Sequence, residues 1–383
     1  MSAASSVPGV VSRWSGLVPR SAMGVLLRRA AGRFTTPLHV DDYLGLVNPL
    51  WSVSQLRGRV EEVRPETADA ATVTIRPGWG WPGHRPGQHA GIGVDIEGVR
   101  HWRTFSMSSP PDPRGGRITF TVKALPEGFV SQYLVRTVRP GTIVQLGPPE
   151  GQFVLPGTAG ADAGLLFWTA GSGITPVMAM LRHLYSDRTA TGRRDSDLPD
   201  VVVLHSAPTP QDVIFGTELR ELAARYPRLR LHEQYSRTDG RLTPEDLGRR
   251  CPDWRARQSW ACGPAGLLEV LEAHWARAGV SDRLHLERFR LPRPTMTGCG
   301  GLARFTVSGA QARADGGTPL LEVGEAMGVL MPSGCRMGIC YRCLAPLVSG
   351  RVRDLRTGRL HGEAGELIQT CVSVAAGDVE IDL

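Results

Sequence analysis

The chain has 383 residues, 41% hydrophobic and 21% charged, which leaves room for two or three domains of roughly 100–200 residues each. No run approaches the ~20 apolar residues that span a bilayer. Seven cysteines, an odd number with three inside nine positions, make a poor disulfide framework, and the net charge of +7 comes without the basic, aromatic-interleaved runs of a nucleic-acid binder.

Before Asp41 there is no acidic residue, whereas Arg13, Arg20, Arg28, Arg29 and Arg33 all precede it. Organelle transit peptides have this look, and so does any arginine-rich chain: Lys123 is the sole lysine. Met23–Leu27 with Arg28 and Arg29 can lie weakly on an anionic surface. Crowded cysteines suit a reducing compartment, so the expected location is cytoplasmic, with weak peripheral contact at the inner face of the cell membrane.

From Leu56 to Phe153 short β-rich runs alternate with Pro/Gly punctuation: Arg59–Val63, Ala71–Arg76, Gln88–Val94, Arg117–Val122 and Thr142–Leu146. Regular short strands imply a small antiparallel barrel, interrupted by a helical segment over Phe129–Val138. From Gly164 strands and helices alternate: Gly164–Thr169, Pro176–Tyr185, Val201–Ser206, Thr217–Tyr226, Leu229–Tyr235, Ser259–Cys262 and Ala265–Arg277. That rhythm predicts a parallel α/β sheet. Pro292, Pro294, Gly298, Gly300 and Gly301 mark a linker. The last stretch has strand-like Ala303–Val307, a short helix at Leu320–Met327 and a closing strand at Val379–Leu383. The expected division is an extension (1–53), a barrel (54–155), an α/β domain (156–290), a linker (291–300) and an α+β domain (301–383).

Cys335, Cys340, Cys343 and Cys371 give the spacing Cys-x4-Cys-x2-Cys followed by a distant fourth cysteine. Plant-type [2Fe–2S] clusters use this spacing, three thiolates of one tight loop being closed by a fourth from elsewhere. Gly334 and Gly338 let the backbone wrap close and aim amides at the sulfurs. Structural zinc prefers paired Cys-x2–4-Cys knuckles. Thr169-Ala-Gly-Ser-Gly-Ile-Thr-Pro176 follows an apolar strand and opens a helix, where Gly171, Ser172, Gly173, Thr175 and Pro176 suit a pyrophosphate at a helix N-terminus; two glycines at a strand-to-helix turn are also common without a ligand. Cys262-Gly263-Pro264 ends another strand at the sheet's carboxyl edge, where open α/β folds bind ligands. It reads as a nicotinamide-facing position, or else as a buried free thiol. In the barrel, Arg103, Thr104, Phe105 and Ser106 combine a cation, an aromatic and hydroxyls suited to a flavin. Lys123, Gly128 and Ser131 surround a helix start that favours anions, or simply caps a surface turn.

In this order the motifs resemble the ferredoxin–NADP reductase superfamily with a [2Fe–2S] ferredoxin domain fused at the C-terminus, over roughly residues 55 to 383. The resemblance implies that Arg103, Phe105 and Ser106 hold flavin phosphate and ring, Phe105 replacing the commoner tyrosine. It likewise implies that Gly128, Phe129, Val130 and Ser131 form the second flavin-phosphate motif, favouring FAD, and that Glu287-Arg-Phe289 is the motif beside the flavin. Ser106, Cys262 and Glu287 are then the catalytic set, and Phe289 a cofactor contact. Asp41-Asp-Tyr-Leu-Gly-Leu-Val-Asn-Pro-Leu-Trp51 is similar to the extension of actinobacterial reductases that serve acyl-CoA desaturases, and the domain order is shared with reductases of ring hydroxylases and of the phenylacetyl-CoA type.

Hydride transfer delivers two electrons and a [2Fe–2S] cluster accepts one, so a flavin must stand between them. The expected route is NAD(P)H to FAD to cluster to an external oxygen-activating partner, oxygenase or membrane desaturase. Ser236 and Arg237, after the third α/β strand, suit a 2′-phosphate and favour NADPH, although NADH-using relatives also carry arginine there. A redox-sensing module without turnover is the competing reading, and no DNA-binding or signalling segment accompanies it.

Overall fold

The computed structural model describes residues 40–111, 116–126, 128–155, 164–185, 197–289, 300–334, 336–338 and 341–383. The arginine-bearing stretch before Val40, linker residues 291–299, and Cys299, Cys335 and Cys340 lie outside the described residues.

Helix α1 (Val40–Val47) precedes the barrel. Its Asp41 carboxylate accepts hydrogen bonds from Ser52 Oγ at 2.9 Å, Val53 N at 2.7 Å and Ser54. Burial works against this charge, but the bonds from Ser54, Val53 and Ser52 outweigh it and hold the carboxyl below its usual range. The helix is thereby tied to the strand that follows.

Six antiparallel strands run in the order β4-β3-β6-β1-β2-β5: β1 (Leu56–Thr67), β2 (Ala70–Pro77), β3 (His89–Ile96), β4 (Val99–Ser106), β5 (Ile118–Lys123) and β6 (Ile143–Leu146). The ends meet where Met107 bridges Phe120 and Ser108 N donates to Thr119 O at 2.8 Å. The sheet therefore closes and leaves no edge on that side. Val60, Val73, Ile75, Ile92 and Phe120 fill its interior. The expected helix appears as α2 (Phe129–Gln132) continued by a π-turn at Tyr133–Thr137, with Val130 and Leu134 buried on the barrel core.

The second domain is a five-stranded parallel sheet in the order β11-β10-β7-β8-β9. Its strands are β7 (Gly164–Ala170), β8 (Asp200–Ala207), β9 (Leu229–Tyr235), β10 (Gln258–Cys262) and β11 (Leu284–Glu287), with helices α3 (Ile174–Tyr185), α4 (Gly216–Arg225), α5 (Leu247–Arg250) and α6 (Ala265–Arg277). Strands buried on both faces read as continuous apolar runs. Accordingly Phe167 packs into one core layer and Trp168, its neighbour, into the other. Side chains of three residues brace this domain on the barrel. Arg182 of α3 donates to Ser108 O at 2.7 Å, Trp260 Nε1 donates to Val154 O at 3.3 Å, and Glu287 meets two barrel side chains.

The third domain is a mixed sheet ordered β13-β12-β17-β14-β15, with β16 beside β14. It comprises β12 (Gly301–Phe305), β13 (Gln311–Ala314), β14 (Leu344–Asp354), β15 (Leu360–His361), β16 (Leu367–Gln369) and β17 (Ser373–Ile381). Helix α7 (Leu320–Ala326) lays Leu320, Leu321 and Val323 against Phe305, Val379 and Ile381. No helix among the described residues is long and apolar enough to cross a membrane.

Candidate active site

In the parallel sheet the first strand lies beside the fourth, so chain order reverses between β7 and β10. Crevices at such switch points, outside the carboxyl ends of the strands, are where open α/β sheets take ligands. Both glycine-bearing turns expected from the sequence open there. Gly171 follows β7 with φ +54 and open space where a side chain would stand. A Cβ on Gly173 would lie 2.0 Å from the Cys262 carbonyl oxygen, so only glycine lets the two turns touch. Thr175 Oγ1 donates to Ser172 O at 2.9 Å, and Pro176 sits in the first turn of α3. Beneath them Thr169 Oγ1 is 2.8 Å from His205 Nδ1. Burial drives the His205 pKa down to about 4, despite Glu233 nearby, and keeps the ring neutral.

Strand register brings Cys262 level with Thr169 on one side and Glu287 on the other. Glu287 is buried at the junction of the two domains. Its Oε2 accepts from Ser106 Oγ at 3.2 Å and its Oε1 lies 3.3 Å from His89 Nδ1. A carboxylate only accepts, so the imidazole carries its proton on Nδ1 in this contact. Burial, with Glu287 alongside, pushes the fully buried Cys262 thiol well above its ordinary value and keeps it protonated. The three residues expected to be catalytic are thus brought together, with Ser106 from the barrel and Cys262 and Glu287 from the sheet. His89 is the member that sequence reasoning missed. A lone histidine opening a strand carries no signal. Its place depends on Gly151, where a Cβ would stand 2.9 Å from the imidazole.

Arg103, Thr104 and Phe105 lead along β4 to Ser106. Burial, with Arg336 close by, pulls the Arg103 guanidinium down to about 10, Glu325 working the other way. It stays protonated at neutral pH, and among the described residues its donor Nη1 reaches the Trp102 carbonyl, at 2.7 Å. A half-desolvated cation so placed fits a phosphate. At the entrance to α2, a Cβ on Gly128 would meet Ser131 Oγ at 2.2 Å. That hydroxyl donates to Gly128 O at 2.8 Å and accepts from Leu125 N at 3.2 Å, so it shapes the turn. Phe129 is half exposed and packs edge-on against His101 of β4 at 4.8 Å between ring centres, with Val130 buried below. Lys123 is held by Asp69 at 2.7 Å. Ser236 and Arg237 follow β9, their amides bonded to Ala207 O and Pro208 O, with the Arg237 side chain exposed. Phe289 is partly exposed two residues beyond Glu287.

Of the four clustered cysteines, Cys343 and Cys371 are described. Both are buried, with Sγ atoms 3.1 Å apart, beyond the covalent S–S separation of about 2.0 Å and suited to sharing one small core. The loop between them and α7 turns through left-handed conformations at Arg336, Gly338 and Tyr341. For the two non-glycine residues this costs about 1–3 kcal/mol each. Such turns aim successive amides inward, as anionic clusters require. Gly338 O is fixed by Arg356 at 2.7 Å and Gln369 at 3.0 Å. These donors fit a [2Fe–2S] cluster.

A closed barrel, a parallel sheet with its switch-point crevice and a cysteine-looped α+β domain define a flavin- and nicotinamide-dependent electron-transfer reductase. Family models match in the same order: the oxidoreductase FAD-binding domain over residues 82–155, the oxidoreductase NAD-binding domain over 167–250 and the 2Fe-2S iron-sulfur cluster binding domain over 305–376. The chain is 52% identical over 360 residues to an NADPH oxidoreductase of Mycobacterium tuberculosis, covering 93% of this chain and 92% of that protein. It is 28% identical over 328 residues to the glycine betaine monooxygenase reductase subunit of Pseudomonas aeruginosa, covering 78% and 87%. Phthalate dioxygenase reductase, a solved structure, aligns with a TM-score of 0.57 at 21% identity over 86% of this chain and 98% of that one, a likeness of fold. The chain belongs to the ferredoxin–NADP reductase family carrying a C-terminal [2Fe–2S] ferredoxin domain, and its cofactors are FAD, NAD(P)H and the cluster.

Proposed function

We propose that the chain draws hydride from NADPH and delivers single electrons, by way of FAD and the [2Fe–2S] cluster, to an external oxygen-activating protein. The observation that carries this reading is the meeting of Ser106, His89, Cys262 and Glu287 where the barrel joins the switch-point crevice. Bound there, the flavin would convert a two-electron donor into a one-electron donor. Ser106 presents a hydroxyl oriented by Glu287, and Cys262 keeps a neutral, fully buried thiol level with Glu287 in the sheet. Arg103 and the Gly128–Ser131 turn would hold flavin phosphates. Lys123 would have to leave Asp69 to join them. Cys335, Cys340, Cys343 and Cys371 would hold the cluster. An anaerobic titration with NADPH, following flavin and cluster absorbance separately, tests the route. Sequential bleaching of both is expected, and a cluster that stays oxidised beside a bleached flavin would break it.

Ser236 and Arg237 favour NADPH, as does the name of the mycobacterial relative. Arg237→Ala should shift the NADPH-to-NADH turnover ratio towards NADH, and an unchanged ratio removes Arg237 from coenzyme choice. An oxygen-activating acceptor is supported by the monooxygenase reductase subunit among the relatives. The Asp41–Trp51 segment points within that class to a membrane fatty acyl-CoA desaturase and to a cytoplasmic enzyme seated weakly on the membrane. The exposed side chains of Tyr43, Leu46, Val47, Trp51 and Trp79 favour this acceptor. A Cβ on Gly78 would meet the Leu50 carbonyl oxygen at 2.4 Å, so the chain before Trp79 runs close to the chain before Trp51, and exposed apolar groups with aromatics suit a membrane interface. Sedimentation with phosphatidylglycerol vesicles should carry the protein down and Leu46→Glu should reduce it. A protein that ignores vesicles turns the acceptor towards ring-hydroxylating or phenylacetyl-CoA-type oxygenases.

A further inference from the structure

We infer that Arg342 and Trp102 form a latch that docks the [2Fe–2S] domain on the flavin strand, and that electron passage to the cluster depends on this latch whereas hydride uptake does not. The inference rests on the electron-transfer reading above and deepens it. Trp102 lies on β4 directly before Arg103. Its indole is seated in a slot cut by two glycines of β3: a Cβ on Gly93 would stand 2.8 Å from the ring and one on Gly91 3.4 Å from it. One ring face is therefore pressed to bare backbone. Above the indole sits the Arg342 guanidinium, its central carbon 3.9 Å from a ring centroid. Arg342 is the residue immediately before Cys343, so the contact joins a residue beside a cluster thiol to a residue beside the flavin-phosphate arginine.

The surrounding charges explain why this contact matters. Arg336 of the cysteine loop is paired with Glu325 of α7, one of the bonds measuring 2.7 Å. Both charges are felt at Arg103 and His101 across the domain boundary. Arg336 repels Arg103 more than Glu325 attracts it, so these charges do not by themselves hold the two domains together. The cation–π contact then supplies directional attraction. Losing a contact of this kind lowers the docking equilibrium constant by roughly 2- to 30-fold, the span from exposed to desolvated settings. A rate that requires the docked form falls by up to that factor, reaching it where the undocked form predominates.

The experiment uses flavin- and cluster-loaded protein mixed anaerobically with NADPH. Flavin and cluster bleaching are followed separately, and the radius of gyration is measured by small-angle X-ray scattering on the oxidised protein. In Arg342→Glu, flavin bleaching should stay within about twofold of the wild type, cluster bleaching should slow by up to the factor above, and the radius of gyration should rise. Trp102→Ala leaves the cysteine loop untouched and should reproduce all three results, while Arg342→Lys, which keeps a cation, should restore much of the rate. The cluster's absorbance before NADPH is added tells slowed transfer from cluster loss. Unchanged cluster bleaching and unchanged dimensions in both variants would overturn the latch. A wild-type cluster that NADPH never reduces would instead overturn the route, while the scattering result would still report on docking.

Discussion

Glu287 accepts from two barrel side chains at once, and the site's proton inventory follows from that. Ser106 must point its hydroxyl hydrogen at the carboxylate when nothing else occupies the crevice, and a ring acceptor placed there competes for it. Ser106→Ala should lower the NADPH-driven flavin reduction rate by roughly 10²–10³-fold, the loss typical of one preorganised donor, with KM little changed. Stopped-flow absorbance measures this, and a raised KM with an intact rate would make Ser106 a general binding contact. Glu287→Gln keeps the volume but replaces an acceptor oxygen with donors, so the fall should be smaller and should come from misorientation. Ser106, Cys262 and Glu287 were legible because each sits in a motif whose neighbours announce it. His89 was not, since its role arises from a contact across 198 residues of sequence. The two buried thiols of the α/β domain add a pH dependence. Burial raises Cys251 from an ordinary 9.0 to about 12 and Cys262 well above 9.0. A group whose folded pKa exceeds its unfolded pKa contributes full stability below the unfolded value and loses it as pH climbs towards the folded one. The urea midpoint of the α/β domain should therefore decline from about pH 9 upward, and Cys251→Ala should flatten that decline.

At the scale of elements, the two switch-point turns act as one unit because Gly173 has no side chain. Gly173→Ala would drive its methyl into the Cys262 carbonyl oxygen and the Gly263 nitrogen, which are backbone atoms that cannot swing aside. The expected cost is of the order of 1–3 kcal/mol, as for other overpacked sites, together with a raised KM for NADPH. Thermal unfolding and steady-state kinetics read the two effects, and a variant with normal stability would mean that the turns can part. Strand assignment succeeded where the pattern is simple. Leu229–Tyr235 and Ala265–Arg277 coincide with β9 and α6, the first opening on a Leu-Arg-Leu alternation and the second repeating buried Leu268, Leu271 and Trp275 at helical spacing. The expected strands omit β4, β11 and β14, and also the short β13, β15 and β16. In β4 the residues of Val-Arg-His-Trp-Arg-Thr-Phe are half exposed or exposed on both faces, since one face serves the crevice and the other a neighbouring domain, so no alternation survives. β11 is four residues long. β14 contains Pro346 and the left-handed Gly350, and its register with β17 shifts twice. Such bulges break the period of two on which a strand is recognised.

At the scale of the whole molecule, barrel and α/β sheet are braced through Arg182, Trp260 and Glu287, whereas the cysteine-looped domain has its own core around Phe305, Leu347 and Ile381. Removing iron should therefore lower or abolish the calorimetric transition of that domain alone, because liganded thiolates become part of its folding free energy. A single transition shifting as one would show the three units to be thermally inseparable. The brace at Glu287 also sets an order of events in synthesis. Ser106 and Glu287 are 181 residues apart, so at ribosomal speeds of 5–20 residues per second the barrel waits about 10–40 s for the carboxylate that braces it. A nascent barrel therefore stands with Ser106 and His89 lacking their shared acceptor until the last strand of the sheet has been made.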